Sequence, residues 1–181
     1  MVLILSSALV GPVIFPAIPK EDYGAYIRAL GIEPPRMEKG QGSGRLPQVF
    51  ADMHGWDTMA AQVAEVYRTL TPGEQAKACV FGQNYGEAGA VERFGAELGL
   101  PPAISAHNSW FLWGPGGCTG EVLIVLGDHR ERLSELFDEV ELGATFDCRD
   151  CMPYEDQLPI WIARRPRQPL APLWPTLKSY I

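Results

Sequence analysis

Residues 2 to 19, VLILSSALVGPVIFPAIP, carry no charged side chain, and charge enters only at Lys20, Glu21 and Asp22. An apolar run of this length raises the question of a membrane helix. Pro12, Pro16 and Pro19 lack amide donors, so an unbroken helix covers only about ten residues, on the order of 15 Å, too short to cross a bilayer. No basic residue precedes the run, as a secretory signal would require. It reads either as the outer end of a membrane helix that begins outside this chain, or as a buried strand followed by a proline-rich linker.

Helical spacing follows. Tyr23, Tyr26, Ile27 and Leu30 fall on one face of a short helix over 21–30. Gly31 to Pro47, with Pro34, Pro35, Gly40, Gly42 and Gly44 and little apolar content, is expected to be a surface linker without regular structure. Trp56, Met59, Ala60, Val63, Val66, Tyr67 and Leu70 then mark the buried stripe of an amphipathic helix. Thr71-Pro72-Gly73-Glu74 stops it and supplies a capping box with proline at the first position of a new short helix.

Beyond residue 77 the period alternates. Ala78 to Phe81 predicts a strand, Glu87 to Leu98 a helix and Ala103 to Ser105 a second strand, together a βαβ unit. Val122 to Leu126 is five aliphatic residues in a row, the signature of a strand buried on both faces. Asp128 and Glu131 predict a second capping box, and Leu133, Leu136, Phe137 and Val140 the inner face of the helix behind it. Extended runs near Ala144–Phe146 and Pro159–Ala163 precede a final helix over about 170–180. These elements predict an α/β fold: a small three-layer sandwich with a mostly parallel, Rossmann-like sheet over residues 48–181. A segment over 1–19 and a short helix with linker over 20–47 precede it.

Composition narrows the function. The chain of 181 residues holds 15 Lys and Arg against 22 Asp and Glu, a net charge of −7, so it offers no general basic field for nucleic acid. Nineteen Gly and 16 Pro point to many loops, and five Trp, seven Phe and six Tyr supply a core.

Three constellations carry candidate chemistry. The first is Phe81 to Ala90 (FGQNYGEAGA), a glycine-rich turn with Gly82, Gly86 and Gly89 spaced G-x-x-x-G-x-x-G that leaves a strand and opens a helix around Asn84, Tyr85 and Glu87. Its amides could cradle an anion. The spacing is not the dinucleotide fingerprint, however, and Glu87 in the first turn would repel phosphate. Asn84 and Glu87 also match a reciprocal helix cap. The second is the run from His107 to Gly117 (HNSWFLWGPGG), in which Trp110 and Trp113 with His107, Asn108 and several glycines place an aromatic surface edged by hydrogen-bonding groups in a loop, as suits a sugar ring, or else fill the core under that loop. If both loops follow parallel strands, Asn84, Tyr85, Glu87, His107, Asn108, Trp110 and Trp113 converge as a ligand-binding face at one edge of the sheet.

The third is Cys148-Arg149-Asp150-Cys151. Pro153 makes the context poor for a redox motif that should open a helix. With Cys118 and a distant His107 it makes a weak zinc set. A Cys148–Cys151 disulfide or two unlinked buried thiols remain, and Cys79, inside a strand, reads as core. No nucleophile elbow is present, and His54, His107 and His129 have no evident Ser or Cys partner. Asp52, Glu87 and Glu155 lie in polar or turn-like settings where carboxylates are mostly solvated or capping. No catalytic residue, metal or cofactor is therefore expected.

The runs Leu46–Trp56 (LPQVFADMHGW), Gln83–Ala90 (QNYGEAGA), Ser105–Gly114 (SAHNSWFLWG) and Cys151–Glu155 (CMPYE), in that order, resemble the C-terminal soluble region of bacterial membrane glycosyltransferases of family 39. These are relatives of the dolichyl-phosphate-mannose protein mannosyltransferases. The resemblance covers about residues 46–181. It implies a domain on the extracytoplasmic face of the bacterial cytoplasmic membrane, where a Cys148–Cys151 bridge would persist. Its implied partners are a membrane-embedded glycosyltransferase portion or a lipid-linked sugar, with membrane association through residues 2–19. The family's catalytic acid lies in a loop near the start of the full protein, outside this chain, so the expected role is acceptor or partner recognition. The alternatives are a freestanding α/β module that binds a sugar or sugar phosphate, and a thiol oxidoreductase using Cys148 and Cys151.

Overall fold

The computed structural model describes residues 2–15, 17–32 and 44–180. Residues 33–43 of the expected linker lie outside that range. Two compact units emerge: residues 1–54 with 148–156, and residues 55–147 with 157–181. The division differs from a simple cut at residue 48, because the segment around the second cysteine pair joins the N-terminal unit.

In the first unit α1 (Val2–Ile14) and α2 (Lys20–Ala29) are separate helices, and α3 (Gln48–Ala51) is a single turn. The Tyr23 hydroxyl donates to the Val13 carbonyl at 3.0 Å and that of Tyr26 to the Leu9 carbonyl, so α2 holds α1 through its ring hydroxyls. Tyr23, Ile27, Leu46, Phe50, Ala51 and Met152 form a small core, with Tyr23 edge-on to Phe50 at 5.0 Å. Of the stripe expected on α2, Tyr23 and Ile27 are buried, and Tyr26 and Leu30 are half-buried. Leu9, Val10, Ile14 and Phe15 are exposed, and among the described residues no helix is long and apolar enough to cross a membrane.

The second unit is built on a five-stranded sheet. Its strands are β1 (Ala78–Gly82), β2 (Ala103–Ile104), β3 (Val122–Leu126), β4 (Phe137–Phe146) and β5 (Leu158–Pro166), in spatial order β2-β1-β3-β5-β4. β1 pairs in parallel with both β2 and β3, while β5 runs antiparallel to β3 and to β4. The protein is thus mixed α/β. The mostly parallel sheet expected from the element order is not what forms: β5 returns directly beside β4 and inserts between it and β3, so two of the four pairings are antiparallel.

The amphipathic stripe folds as read: α4 (Trp56–Thr69) buries Met59, Ala60, Val63, Ala64 and Val66. α5 (Pro72–Gln75) starts with the full Thr71–Glu74 capping box. α6 (Tyr85–Gly95) crosses from β1 to β2 and packs against both, and α4 packs on α6 and β4. On one face of the sheet Cys79, Leu123, Val125 and Ala163 meet Leu133 of α7 (Arg130–Leu136) and Leu170 and Trp174 of α8 (Leu170–Leu177). Val80, Ile124 and Ile162, paired in register, point the other way by alternation and are also buried. Each such fully buried aliphatic contributes on the order of 1.5–3 kcal/mol.

Three local expectations need correction. The helix read through Val140 ends at Leu136, because Phe137 begins the ladder to Pro166 and the sheet captures residues whose spacing also suited a helix. Asp128 does not cap α7. With φ 68° it forms the turn before it, its carboxylate accepting from His129 N–H at 2.7 Å and its carbonyl from the Trp161 indole at 3.2 Å. Cys79 is bonded to Cys118, with Cα atoms 5.9 Å apart, rather than being a core thiol.

Candidate functional site

The start of α6 is fixed by its own sequence. Glu87 N–H donates to Asn84 Oδ1 at 2.9 Å, while Glu87 Oε2 accepts from the backbone amides of Gln83 (2.6 Å) and Asn84 (3.3 Å), and Oε1 from Asn84 Nδ2 (3.0 Å). Glu87 is only 2% exposed. The two amides that an anion would need are therefore already bound to a carboxylate, so this turn works as a cap.

Directly across from it lies the end of β2. Ser105 Oγ accepts from the His107 amide at 3.2 Å, and His107 Nδ1 accepts from the Tyr85 amide at 3.3 Å, which places the neutral ring's proton on Nε2. The Tyr85 ring lies parallel to the buried His107 ring at 5.3 Å and is half exposed. Asn108 sits at φ 51°, a conformation its short polar side chain tolerates, and its amide donates to the Ser179 carbonyl at 2.9 Å.

Residues Asn108–Trp113 wind as a 3-10 helix, in which positions three apart lie on the same side. That spacing pairs Trp110 with Trp113, edge to face at 4.6 Å. Phe111, one residue on, faces another way: it stacks on Trp174 at 5.9 Å and its carbonyl accepts from the Trp174 indole at 3.0 Å, which ties the turn to α8. Trp110 lies over Gly89, where a Cβ would meet its ring at 3.8 Å. Trp113 is 71% exposed.

The tryptophan pair lines an open groove of about 670 Å³ along the β2 edge of the sheet. Its other walls are Glu92 of α6, Pro101 and Pro102 ahead of β2, and the turn Gly114–Cys118. The Cys79–Cys118 bridge lies in this lining and fastens the turn to β1. Tyr85, Gly89 and Glu92 are spaced i, i+4, i+7, so one face of α6 meets His107, then Trp110, then the groove.

Of the seven residues expected to share a binding face, the structure brings Tyr85 together with His107 and Trp110 together with Trp113. It commits Asn84 and Glu87 to the helix cap, and it sets Asn108 at the Ser179 strand-like contact. Glu92, the proline pair and Cys118 are the groove residues that sequence reasoning missed. Gly114 to Gly117 belong to the run read from the sequence, and the adjacency of Cys118 to that run was the one signal for any of the missed residues.

Two smaller cavities exist. One of about 80 Å³ between the sheet and helices α7 and α8 includes Asp128 and Arg132 among mostly apolar residues. One of about 240 Å³ in the first unit is lined by Ile18, Tyr23, Leu46, Phe50 and Met53 with Lys20 and His54. There Asp150 accepts from Lys20 at 2.7 Å and lies 3.4 Å from Arg45, and the Lys20 hydrogen bond holds its carboxyl below the ordinary range. Next to Asp150, Cys148 and Cys151 are disulfide-bonded, with the Cys148 amide donating to Asp156 at 2.9 Å. Glu155 is buried in the same unit. Among the described residues no group of three or more His, Cys, Asp or Glu is placed to hold a metal ion. Compared with protein-family models, with characterised proteins and with solved structures, the chain shows no match.

Proposed function

We propose that this chain is the extracytoplasmic recognition domain of a membrane glycosyltransferase that draws its sugar from a polyprenyl phosphate, and that its own task is to hold a saccharide in the Trp110–Trp113 groove. The observation that carries the reading is the groove itself: an exposed indole paired with a half-buried one, beside a carboxylate that can accept from sugar hydroxyls. A pyranose ring has an apolar face that stacks on an aromatic and a rim of hydroxyls that needs acceptors. The ordered motifs that resemble family 39 support the enzyme class, and the parallel pairing of β1 with β2 and β3, crossed by α6, is compatible with a Rossmann-like half. Two disulfides suit an oxidising compartment outside the cytoplasm. The uncharged first segment suits attachment at the membrane. Chemistry belongs to the membrane-embedded portion, and this domain presents a saccharide to it.

The test is a tryptophan-emission titration of the chain with manno- and gluco-oligosaccharides, repeated on Trp113→Ala. The expected result is a saturable change for the wild type and none for the variant, with identical far-ultraviolet dichroism. No response to any oligosaccharide up to millimolar concentration, by emission or by calorimetry, would remove the reading.

A further inference from the structure

We infer that the groove selects against anionic saccharides, that Glu92 sets this selectivity, and that its occupant is accordingly an uncharged or amino-bearing glycan rather than a sugar phosphate. The inference rests on the saccharide reading above and names the ligand class for that same site.

An anion is held best by cations, and among the described residues the lining offers none. Glu92 is the only charged side chain among the described residues that line it. Pro101, Pro102 and Pro115 have no amide proton. Three wall amides are already spent: Ala103 N–H donates to Glu92 Oε1 at 2.6 Å, Gly114 to the Phe111 carbonyl at 3.1 Å and Cys118 to the Pro115 carbonyl at 3.0 Å. The nearest basic side chain along α6, Arg93, lies over the Phe94 ring at 5.2 Å and is not part of the lining. A phosphate or uronate in the groove would therefore lose water, gain no cationic partner and face a carboxylate.

A neutral ring meets the opposite situation. Its apolar face covers Trp113, and its hydroxyls donate to Glu92, whose carboxylate the Ala103 amide holds by one oxygen, leaving the other to accept from ligand. An ammonium on the sugar adds a charge pair to the same oxygen. The donor of a polyprenyl-phosphate-dependent enzyme carries phosphate at its sugar, so a groove of this chemistry serves the acceptor side of the reaction.

The experiment compares three disaccharides of equal size against the purified chain by calorimetry at matched ionic strength: mannobiose, fully deacetylated chitobiose with its amines protonated, and digalacturonate. The expected order is deacetylated chitobiose tightest, mannobiose next and digalacturonate about tenfold weaker than mannobiose, as one like charge at contact distance in a water-filled open groove implies. Glu92→Gln keeps an acceptor for the Ala103 amide, so the fold stays and only the charge goes. It should bring the three affinities within about threefold of one another. Equal binding of digalacturonate and mannobiose to the wild type, or an unchanged order in Glu92→Gln, overturns the charge selection while leaving the saccharide groove in place. Binding of none of the three overturns both.

Discussion

The sheet of the second unit has two edges, and they are protected in opposite ways. At β4 a strand of ten residues is left at the border, and what guards it is charge: Asp138 pairs with Arg167 at 3.2 Å, Glu139 with Arg165 at 2.6 Å, and Glu141 with Arg164 at 2.9 Å, with a register shift at Gly143. At β2 the strand is two residues long, and the loop that follows it folds back over the border and is bonded to β1 through Cys118. Unpaired edges template aggregation, and charges, bulges, shortness and covers are alternative ways to blunt them. The difference is instructive because only a cover encloses space. The charged edge stays a solvated surface, whereas the covered edge acquires a groove with aromatic walls, which is where we propose the saccharide sits.

Breaking the cover should be the most disruptive change. The Cys79–Cys118 bridge spans 39 residues, a loop whose closure is worth about 4 kcal/mol in the chain-entropy account. Cys79→Ser with Cys118→Ser is expected to lower the denaturant-derived stability of the second unit by that amount and to abolish saccharide-induced emission change. A loss below about 1 kcal/mol would mean that the cover holds without its bond.

The charged edge should be more vulnerable to sterics than to loss of any one ion pair. A Cβ on Gly143 would lie 2.7 Å from Val66 Cγ1 and 3.2 Å from the Ile160 carbonyl oxygen, and neither a β-branched side chain nor a strand backbone yields readily. Gly143→Ala is expected to cost about 2 kcal/mol, with groove binding kept. Thermal unfolding and the emission titration on the same variant separate the two edges.

The smallest effect concerns acid. Glu74 is held at about 2, against an ordinary 4.5, chiefly by the Thr71 amide and hydroxyl and then by Arg164 at 2.6 Å. The folded state favours the ionised form, so its contribution is complete above 4.5 and fades as the pH falls towards 2. Glu74 lies at the surface, partly open to solvent, and screening there keeps the contribution small. Urea midpoints of wild type and Glu74→Gln should differ slightly above that window and converge below it. A gap that widens on acidification would contradict the assignment.

What could be read from the sequence was local. The Thr71–Glu74 and Asn84–Glu87 boxes, the α4 stripe and the aliphatic β3 each depend on contacts within a few residues, and each forms as the spacing implies. The departures all involve distant partners. Phe137 and Val140 fit helical spacing but are claimed by β5, whose direction no nearby residue encodes. Asp128 leaves its helix because its carbonyl answers Trp161, 33 residues away. The aromatic half of the groove was legible, since Trp110 and Trp113 are three apart. Glu92 and the Cys79–Cys118 bond were not, because only the crossover through α6 brings them beside those rings.

The segment from Cys148 to Asp156 completes the first unit, yet it lies within the connection that joins β4 to β5 of the second. No single scission of the chain therefore releases either unit whole. Fragments cut near His54 would leave Lys20 and Arg45 on one piece and their common partner Asp150 on the other. Deleting the connection instead would give the β4–β5 pair a shorter return without touching the ladder residues. Dissection of this protein calls for excision and rejoining at residues 147 and 157, with 148–156 supplied in trans to the N-terminal piece.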